Sequence, residues 1–197
     1  MIALSELARA VADFRGDGIV VTGPGAMAGA MWAAGHHPAS IYNMELAYAT
    51  SLAYGMALAR ADRRAIALEG DGSLLAGLPV LATVARQPAP NLVIVAVVNG
   101  IYGTGDNLTE TQFAQGGNLA AVAVGLGWHP ERVLHVAAGV DLAPALRQAV
   151  AETGPWLIVA HTDPASYGLG SVRVRPGIDV VESAIELRRY LAASDGR

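Results

Sequence analysis

AIALEGDGSLLAGLPVLATVARQPAPNLVIVAVVNGIYG, residues 65–103, decides the fold. Residues 65–68 and 92–98 are apolar runs bounded by Gly, Asp and Asn, as strands are. LVIVAVV at 92–98 is unbroken, which fits a strand buried on both faces of a parallel sheet. Between the two runs, residues 78–86 follow helical spacing with Pro79 in the first turn, a position that tolerates proline. A strand, a crossover helix and a parallel strand make the repeating unit of an α/β domain.

The same alternation extends in both directions. Residues 5–14 read as a helix, 19–22 as a strand, 26–34 as a helix entered through Gly23-Pro24-Gly25, 40–42 as a weak strand and 46–60 as a long helix. Downstream come a helix from Leu119, a strand at 133–136, a helix at 142–153, a strand at 156–160 and a last helix at 180–192. The expectation is one domain spanning residues 1–197, a three-layer doubly wound parallel sheet of about six strands with helices on both faces. Residues 99–118 interrupt the rhythm. They are rich in Gly, Thr, Asn and Gln, and 103–117 reads as a mobile lid in which Thr104, Asp106, Asn107 and Gln112 reach towards a ligand.

Composition removes several chemistries. The chain has 197 residues, 53% of them hydrophobic, so it can bury a full core. It lacks cysteine, which excludes disulfides, thiolate nucleophiles and Cys-type zinc sites. All 13 basic residues are arginine, so lysine Schiff bases and Walker A loops are excluded as well. A net charge of -4 with scattered arginines gives no cationic field, so no nucleic-acid partner is expected. Despite a mean hydropathy of +0.38, no apolar run reaches the ~20 residues of a membrane span. The first helix carries Glu6, Arg9, Asp13 and Arg15 where a signal peptide would be apolar, so a soluble, cytoplasmic chain is expected.

In doubly wound sheets ligands bind beyond the carboxyl ends of the strands. Three junctions stand there: Gly23-Pro24-Gly25, Glu69-Gly70-Asp71-Gly72-Ser73 and Asn99-Gly100-Ile101-Tyr102-Gly103. Asp71 offers the hard carboxylate oxygen that magnesium prefers, with glycines on both sides to admit a ligand. The Asn99 amide oxygen and the Ile101 carbonyl can join it and leave positions for phosphate oxygens and water. Ser73 can turn its hydroxyl towards an anion.

Asp71 and Asn99 stand 28 positions apart, and Gly70-Asp71-Gly72-Ser73 followed by that asparagine resembles the signature of thiamine diphosphate enzymes. The surrounding stretches IVVTGPGAMAGAMWAAG, NMELAYATSLAYGMALA, ALEGDGS and VVNGIYG resemble the diphosphate-binding domain of 2-oxoacid decarboxylases and acetolactate synthases. The resemblance implies thiamine diphosphate and Mg2+ as cofactors, with Asp71, Asn99 and the Ile101 carbonyl as metal ligands. It implies cofactor contacts at Gly25, Ala26, Gly70, Gly72, Ser73, Tyr102 and Gly103. Leu46 falls where the family places a bulky apolar side chain under the cofactor, and the Met44 carbonyl would receive the aminopyrimidine amine. These two are the residues implied for catalysis. Val98 stands where the family usually has a first asparagine, and Met44, Glu45 and Ala47 replace family glycines.

In that family a second domain carries the glutamate that activates the pyrimidine ring, and the present sequence has no room for one. Free-standing diphosphate domains of this length resemble β subunits of sulfopyruvate and split phosphonopyruvate decarboxylases. The implied protein is half of a heteromer, a dimer of heterodimers or larger, with a separate pyrimidine-binding subunit and a small 2-oxoacid substrate. Two other readings remain open. Gly23-Pro24-Gly25 with Glu45 downstream partly matches a dinucleotide fingerprint and a nicotinamide-dependent oxidoreductase, although Ala28 stands where the third glycine belongs. A catalytically silent cofactor-binding subunit is the other. His36-His37 precedes Pro38 in a connecting loop, and His129, His135 and His161 lack metal-site spacing.

Overall fold

A computed structural model of the protein describes residues 1–103, 109–167 and 174–195. Six strands form one all-parallel sheet: β1 (Ile19–Thr22), β2 (Ser40–Ile41), β3 (Ala65–Gly70), β4 (Leu92–Val98), β5 (Val133–Val136) and β6 (Trp156–His161), in the order β2-β1-β3-β4-β6-β5. The order reverses at β1, which places the topological switch point between β1 and β3.

The helices are α1 (Leu4–Phe14), α2 (Ala26–Ala34), α3 (Ala49–Ala59), α4 (Asp71–Ala76), α5 (Pro79–Arg86), α6 (Leu119–Gly125), α7 (Gly139–Ala151) and α8 (Val180–Asp195). Side chains alternate across a strand, so each strand feeds two cores. In β4, Val93, Val95 and Val97 face the layer of α1, α2 and α7, whereas Leu92, Ile94, Ala96 and Val98 face that of α3, α5, α6 and α8. All seven residues of β4 are buried, as its unbroken apolar run requires. Helix α1 buries Leu4, Leu7, Ala8 and Val11, one stripe at helical spacing. Among the described residues no helix is long and apolar enough to cross a membrane.

Two differences from the sequence reading stand beside the switch point. The helix read from residue 46 begins at Ala49, because Ala47 (φ 76°) and Asn43 (φ 59°) take left-handed backbone conformations that no α-helix admits. Residues 43–48 therefore form a turn that carries Met44, Glu45 and Leu46. The other difference is α4, a short helix that starts directly at Asp71, where an open junction is the expectation.

Candidate functional site

The ends of β1, β3 and β4 lie side by side, so the three junctions converge as expected. They enclose a cleft of about 420 Å³ lined by Ala26, Leu46, Gly70, Asp71, Gly72, Ser73, Asn99, Ile101, Tyr102 and Gly103 together with Pro24 and Met27. Two residues expected there stand beside it. Gly25 borders an adjoining, wider cleft with Asn43, Glu45, Arg175 and Asp179. Met44 is half-buried under the turn; its N–H donates to the Thr22 carbonyl oxygen at 2.9 Å and its side chain packs on the core.

Asp71 is the electrostatic centre, only 1% exposed. Its Oδ2 accepts from Gly100 N (2.9 Å) and Thr111 Oγ1 (2.8 Å), and its Oδ1 accepts from Gly72 N (2.9 Å). No arginine or histidine pairs with it among the described residues. Burial raises its pKa and outweighs the hydrogen bonds from Thr111, Gly100 and Gly72, which act in the opposite direction. A buried carboxylate without a counter-cation is a place where a bound cation relieves the desolvation cost.

The sign of that shift gives a test on the cofactor-free chain. Because the folded pKa lies above the unfolded one, the stability linked to Asp71 is fully present below about pH 4 and is lost as pH rises through the folded pKa. Asp71→Asn, which keeps an acceptor oxygen, is expected to raise the thermal midpoint at pH 7 by about 2–4 °C, the effect of roughly 1 kcal/mol in a domain of this size. The gain over wild type should disappear at about pH 4. A gain that stayed the same at both pH values would contradict this account of Asp71.

The Asn99 Oδ1 accepts from Ile101 N at 3.0 Å, which folds the end of β4 into a tight turn and leaves the amide oxygen a second lone pair. Gly100, at φ 77°, provides the bend. Gly72 admits a close approach, since a Cβ there would meet the Tyr102 ring at 2.5 Å. Among the described residues no group of three or more His, Cys, Asp and Glu could hold a metal. The donor set at the cleft is instead one carboxylate, one amide oxygen and one main-chain carbonyl. That set suits a hard ion whose remaining positions go to phosphate oxygens and water, so the residues fit magnesium and a diphosphate.

Leu46 is 41% exposed and lines the same cleft. The turn beneath it is fastened from two sides. From β1, Thr22 Oγ1 accepts from Asn43 N (3.0 Å), while Asn43 Oδ1 accepts from Gly25 N (3.1 Å). From β3, Ser73 Oγ accepts from Ala47 N (2.9 Å) and donates to Glu69 Oε1 (2.7 Å). The Ser73 hydroxyl, expected to face an anion, is therefore turned inwards. Thr50, Thr22, Asn43 and Thr111 escape the sequence reading, and Glu69 appears in it only as a junction residue without a role. A glutamate inside an otherwise apolar strand is the signal that could have found Glu69.

Within residues 103–117, read as a lid, the described portion from residue 109 is anchored to the site at Thr111, while most of its other residues are exposed. Thr111 is 2% exposed, and its N–H donates to the Gly100 carbonyl at 2.8 Å. The Asp71 carboxylate and the backbone satisfy the polar groups there, so polarity does not keep the segment off the protein. Gln112 is exposed; Thr104, Asp106 and Asn107 lie outside the described residues. The histidines serve elsewhere. His36 bonds Tyr42 (3.2 Å) and Glu186 of α8 (3.2 Å), and His135 and His161 stack at 6.2 Å at the ends of β5 and β6.

The fold and the cleft define an α/β domain with oxygen donors gathered at a topological switch point, suited to a phosphate-bearing ligand held through a hard cation. Residues 23–160 match the family described as thiamine pyrophosphate enzyme, C-terminal TPP binding domain, and the chain belongs to that family. It is 35% identical over 126 residues to the sulfopyruvate decarboxylase subunit beta of Methanothermobacter thermautotrophicus, covering 64% of this chain and 61% of that one. It is 30% identical over 177 residues to a phosphonopyruvate decarboxylase of Streptomyces viridochromogenes, covering 88% of this chain but 43% of the relative. The chain thus spans less than half of that relative and about three fifths of the archaeal subunit. A thiamine diphosphate-dependent 4-hydroxybenzoylformate decarboxylase from Rhodococcus jostii shares the fold, with a TM-score of 0.62, 24% identity, and coverage of 82% of this chain and 33% of that one.

Proposed function

We propose that this chain is the diphosphate- and magnesium-binding subunit of a split, cytoplasmic thiamine diphosphate-dependent 2-oxoacid decarboxylase of the sulfopyruvate or phosphonopyruvate kind. The observation that carries the reading is the convergence of Asp71, Asn99 and Ile101 at the ends of adjacent β3 and β4, with Leu46 across the same cleft. The archaeal relatives are named as beta subunits of sulfopyruvate decarboxylase, which supports a partner.

In this reading the Asp71 carboxylate, the Asn99 amide oxygen and the Ile101 carbonyl hold Mg2+. Gly25, Ala26, Gly70, Gly72, Ser73, Tyr102 and Gly103 border the diphosphate, Ser73 through its main chain. Leu46 supports the cofactor from below, and the Met44 carbonyl accepts a hydrogen bond from the aminopyrimidine amine. When bound, thiamine diphosphate supplies the electron sink that takes the electron pair released as carbon dioxide leaves a 2-oxoacid. A separate pyrimidine-binding subunit supplies the acid that this cleft lacks, in a dimer of heterodimers or larger.

The surface beside the cleft has the character of a docking face for that subunit. Tyr48 is 59% exposed next to Leu46, and Ala47, Tyr48, Tyr54, Gly77 and Pro79 line a groove of about 720 Å³. Tyr48→Glu is expected to weaken association with the partner at least about tenfold, as loss of a buried interface tyrosine does. Co-purification followed by calorimetry measures it, and unchanged affinity would place the interface elsewhere. The function itself is tested by combining the chain with the product of its neighbouring gene, thiamine diphosphate and magnesium, then screening 2-oxoacids for carbon dioxide release. Release from sulfopyruvate or phosphonopyruvate is expected; cofactor binding without turnover of any 2-oxoacid would favour a silent subunit.

A further inference from the structure

We propose that Glu69 is a positioning residue, whose buried carboxylate fixes the Leu46 turn relative to the metal-binding end of β3. The proposal rests on the reading of Leu46 given above and adds the residue that holds it in place. Glu69 is 0% exposed and, among the described residues, has no cationic partner. Its two oxygens are nevertheless satisfied. Oε2 accepts from Thr50 N at 2.9 Å and from Thr50 Oγ1, and Oε1 accepts from Ser73 Oγ at 2.7 Å.

The Ser73 hydroxyl donates its one hydrogen to Glu69. That leaves a Ser73 lone pair for the Ala47 N–H, which donates to it at 2.9 Å. Both bonds in the chain Ala47 to Ser73 to Glu69 therefore run towards the carboxylate. Thr50, the second residue of α3, brings one of the helix's unpaired first-turn N–H groups to the same carboxylate. Glu69 therefore grips the turn at Ala47, directly after Leu46, and again at Thr50.

The turn needs such a grip. Ala47 has no glycine-like freedom at φ 76°, and strained backbone of this kind persists only where its surroundings hold it. Gly77 contributes by closeness, since a Cβ there would lie 2.5 Å from the Ala47 carbonyl oxygen. Glu69 is separated from Asp71 by Gly70 alone. Residues 69–71, at the end of β3 and the start of α4, thus carry both the proposed metal ligand and the clamp on the Leu46 turn. A glutamine keeps only one acceptor oxygen: with that oxygen on Thr50, its amide nitrogen would donate to Ser73 Oγ, reversing that bond and leaving the Ser73 hydrogen without its acceptor.

Two variants test the proposal, Glu69→Gln and Ser73→Ala. In the cofactor-free chain, amide hydrogen exchange at Ala47 and Thr50 should be about 10-fold faster in Glu69→Gln, the effect of losing one hydrogen bond. Ser73→Ala should accelerate Ala47 in the same way. The amides of Ala67 and Leu68 in β3 should keep their protection in both, which separates a loosened turn from a loosened fold. In the enzyme reconstituted with its partner, Glu69→Gln should keep magnesium-dependent cofactor affinity within about threefold while kcat falls at least about 10-fold, the result of small misplacement. The double variant should fall no further than Glu69→Gln alone, because both residues act through one chain.

Unchanged exchange at Ala47 and Thr50 in Glu69→Gln would overturn the proposal whatever the activity. Faster exchange with an unchanged kcat would overturn the positioning role. If Glu69→Gln does not fold, Ser73→Ala decides on the same two readouts. Failure of the wild-type complex to bind thiamine diphosphate would defeat the functional reading instead, and exchange alone would then judge whether Glu69 holds the turn.

Discussion

Asp71→Ala is expected to weaken magnesium-dependent binding of thiamine diphosphate at least about 100-fold, since disturbing even an outer-shell partner of a metal ligand costs roughly 10- to 100-fold. The size of the effect follows from the donor set. Among the described residues Asp71 is the one carboxylate lining the cleft, so its removal leaves two neutral oxygens to hold a divalent ion against water. The variant also frees Gly100 N and Thr111 Oγ1, which both donate to Asp71 Oδ2, and so loosens the turn that carries Asn99 and Ile101. Calorimetry on wild type and variant, each with the partner subunit, measures the loss. Asp71→Asn controls for folding, because it keeps an acceptor for the same two donors; equal affinity in wild type and Asp71→Ala would remove Asp71 from the metal site.

The second large effect is dependence on the partner. Glu45 is the one carboxylate on the Leu46 turn, and it borders the wider cleft with Arg175 and Asp179 rather than the Asp71 cleft. Glu69, the other nearby acid, has both oxygens engaged by Thr50 and Ser73. Neither is free to act as the acid that the cofactor's pyrimidine ring needs. General acid–base catalysis contributes roughly 10²- to 10⁴-fold, and the isolated chain should lack all of it. Exchange of the thiazolium C2 proton for deuterium should run no faster in the isolated chain than in free cofactor, and the partner should accelerate it by about that factor. Rapid exchange by the isolated chain would reveal an acid within it, and Glu45→Gln would show whether it is Glu45.

The sheet was legible because its central strands are written without ambiguity. A seven-residue run such as 92–98 is buried on both faces, and the junction after each strand carries the small and polar residues that a ligand edge needs. The metal-type donors were legible for the same reason, since a strand end fixes where Asp71 and Asn99 must lie. The turn at residues 43–48 was hidden. MELAYAT has the composition of a helix start, and its left-handed Ala47 is imposed by hydrogen bonds to Ser73 and by the closeness of Gly77, contacts made across the chain. The direction of the Ser73 hydroxyl was hidden too, because it depends on a buried acceptor four residues earlier in the sequence, on β3. Thr111 shows a further limit. In sequence it belongs to a polar stretch that reads as detached, yet its hydroxyl bond to Asp71 and its N–H bond to the Gly100 carbonyl join that stretch to the site.

The most direct test of the account is a calorimetric titration of thiamine diphosphate into the wild-type chain with its partner, in magnesium and again after chelation with EDTA. The account predicts clear binding in magnesium and its loss on chelation, with recovery when magnesium is restored. Binding of equal strength with and without magnesium would contradict the assignment of Asp71, Asn99 and the Ile101 carbonyl as the metal bridge to the diphosphate.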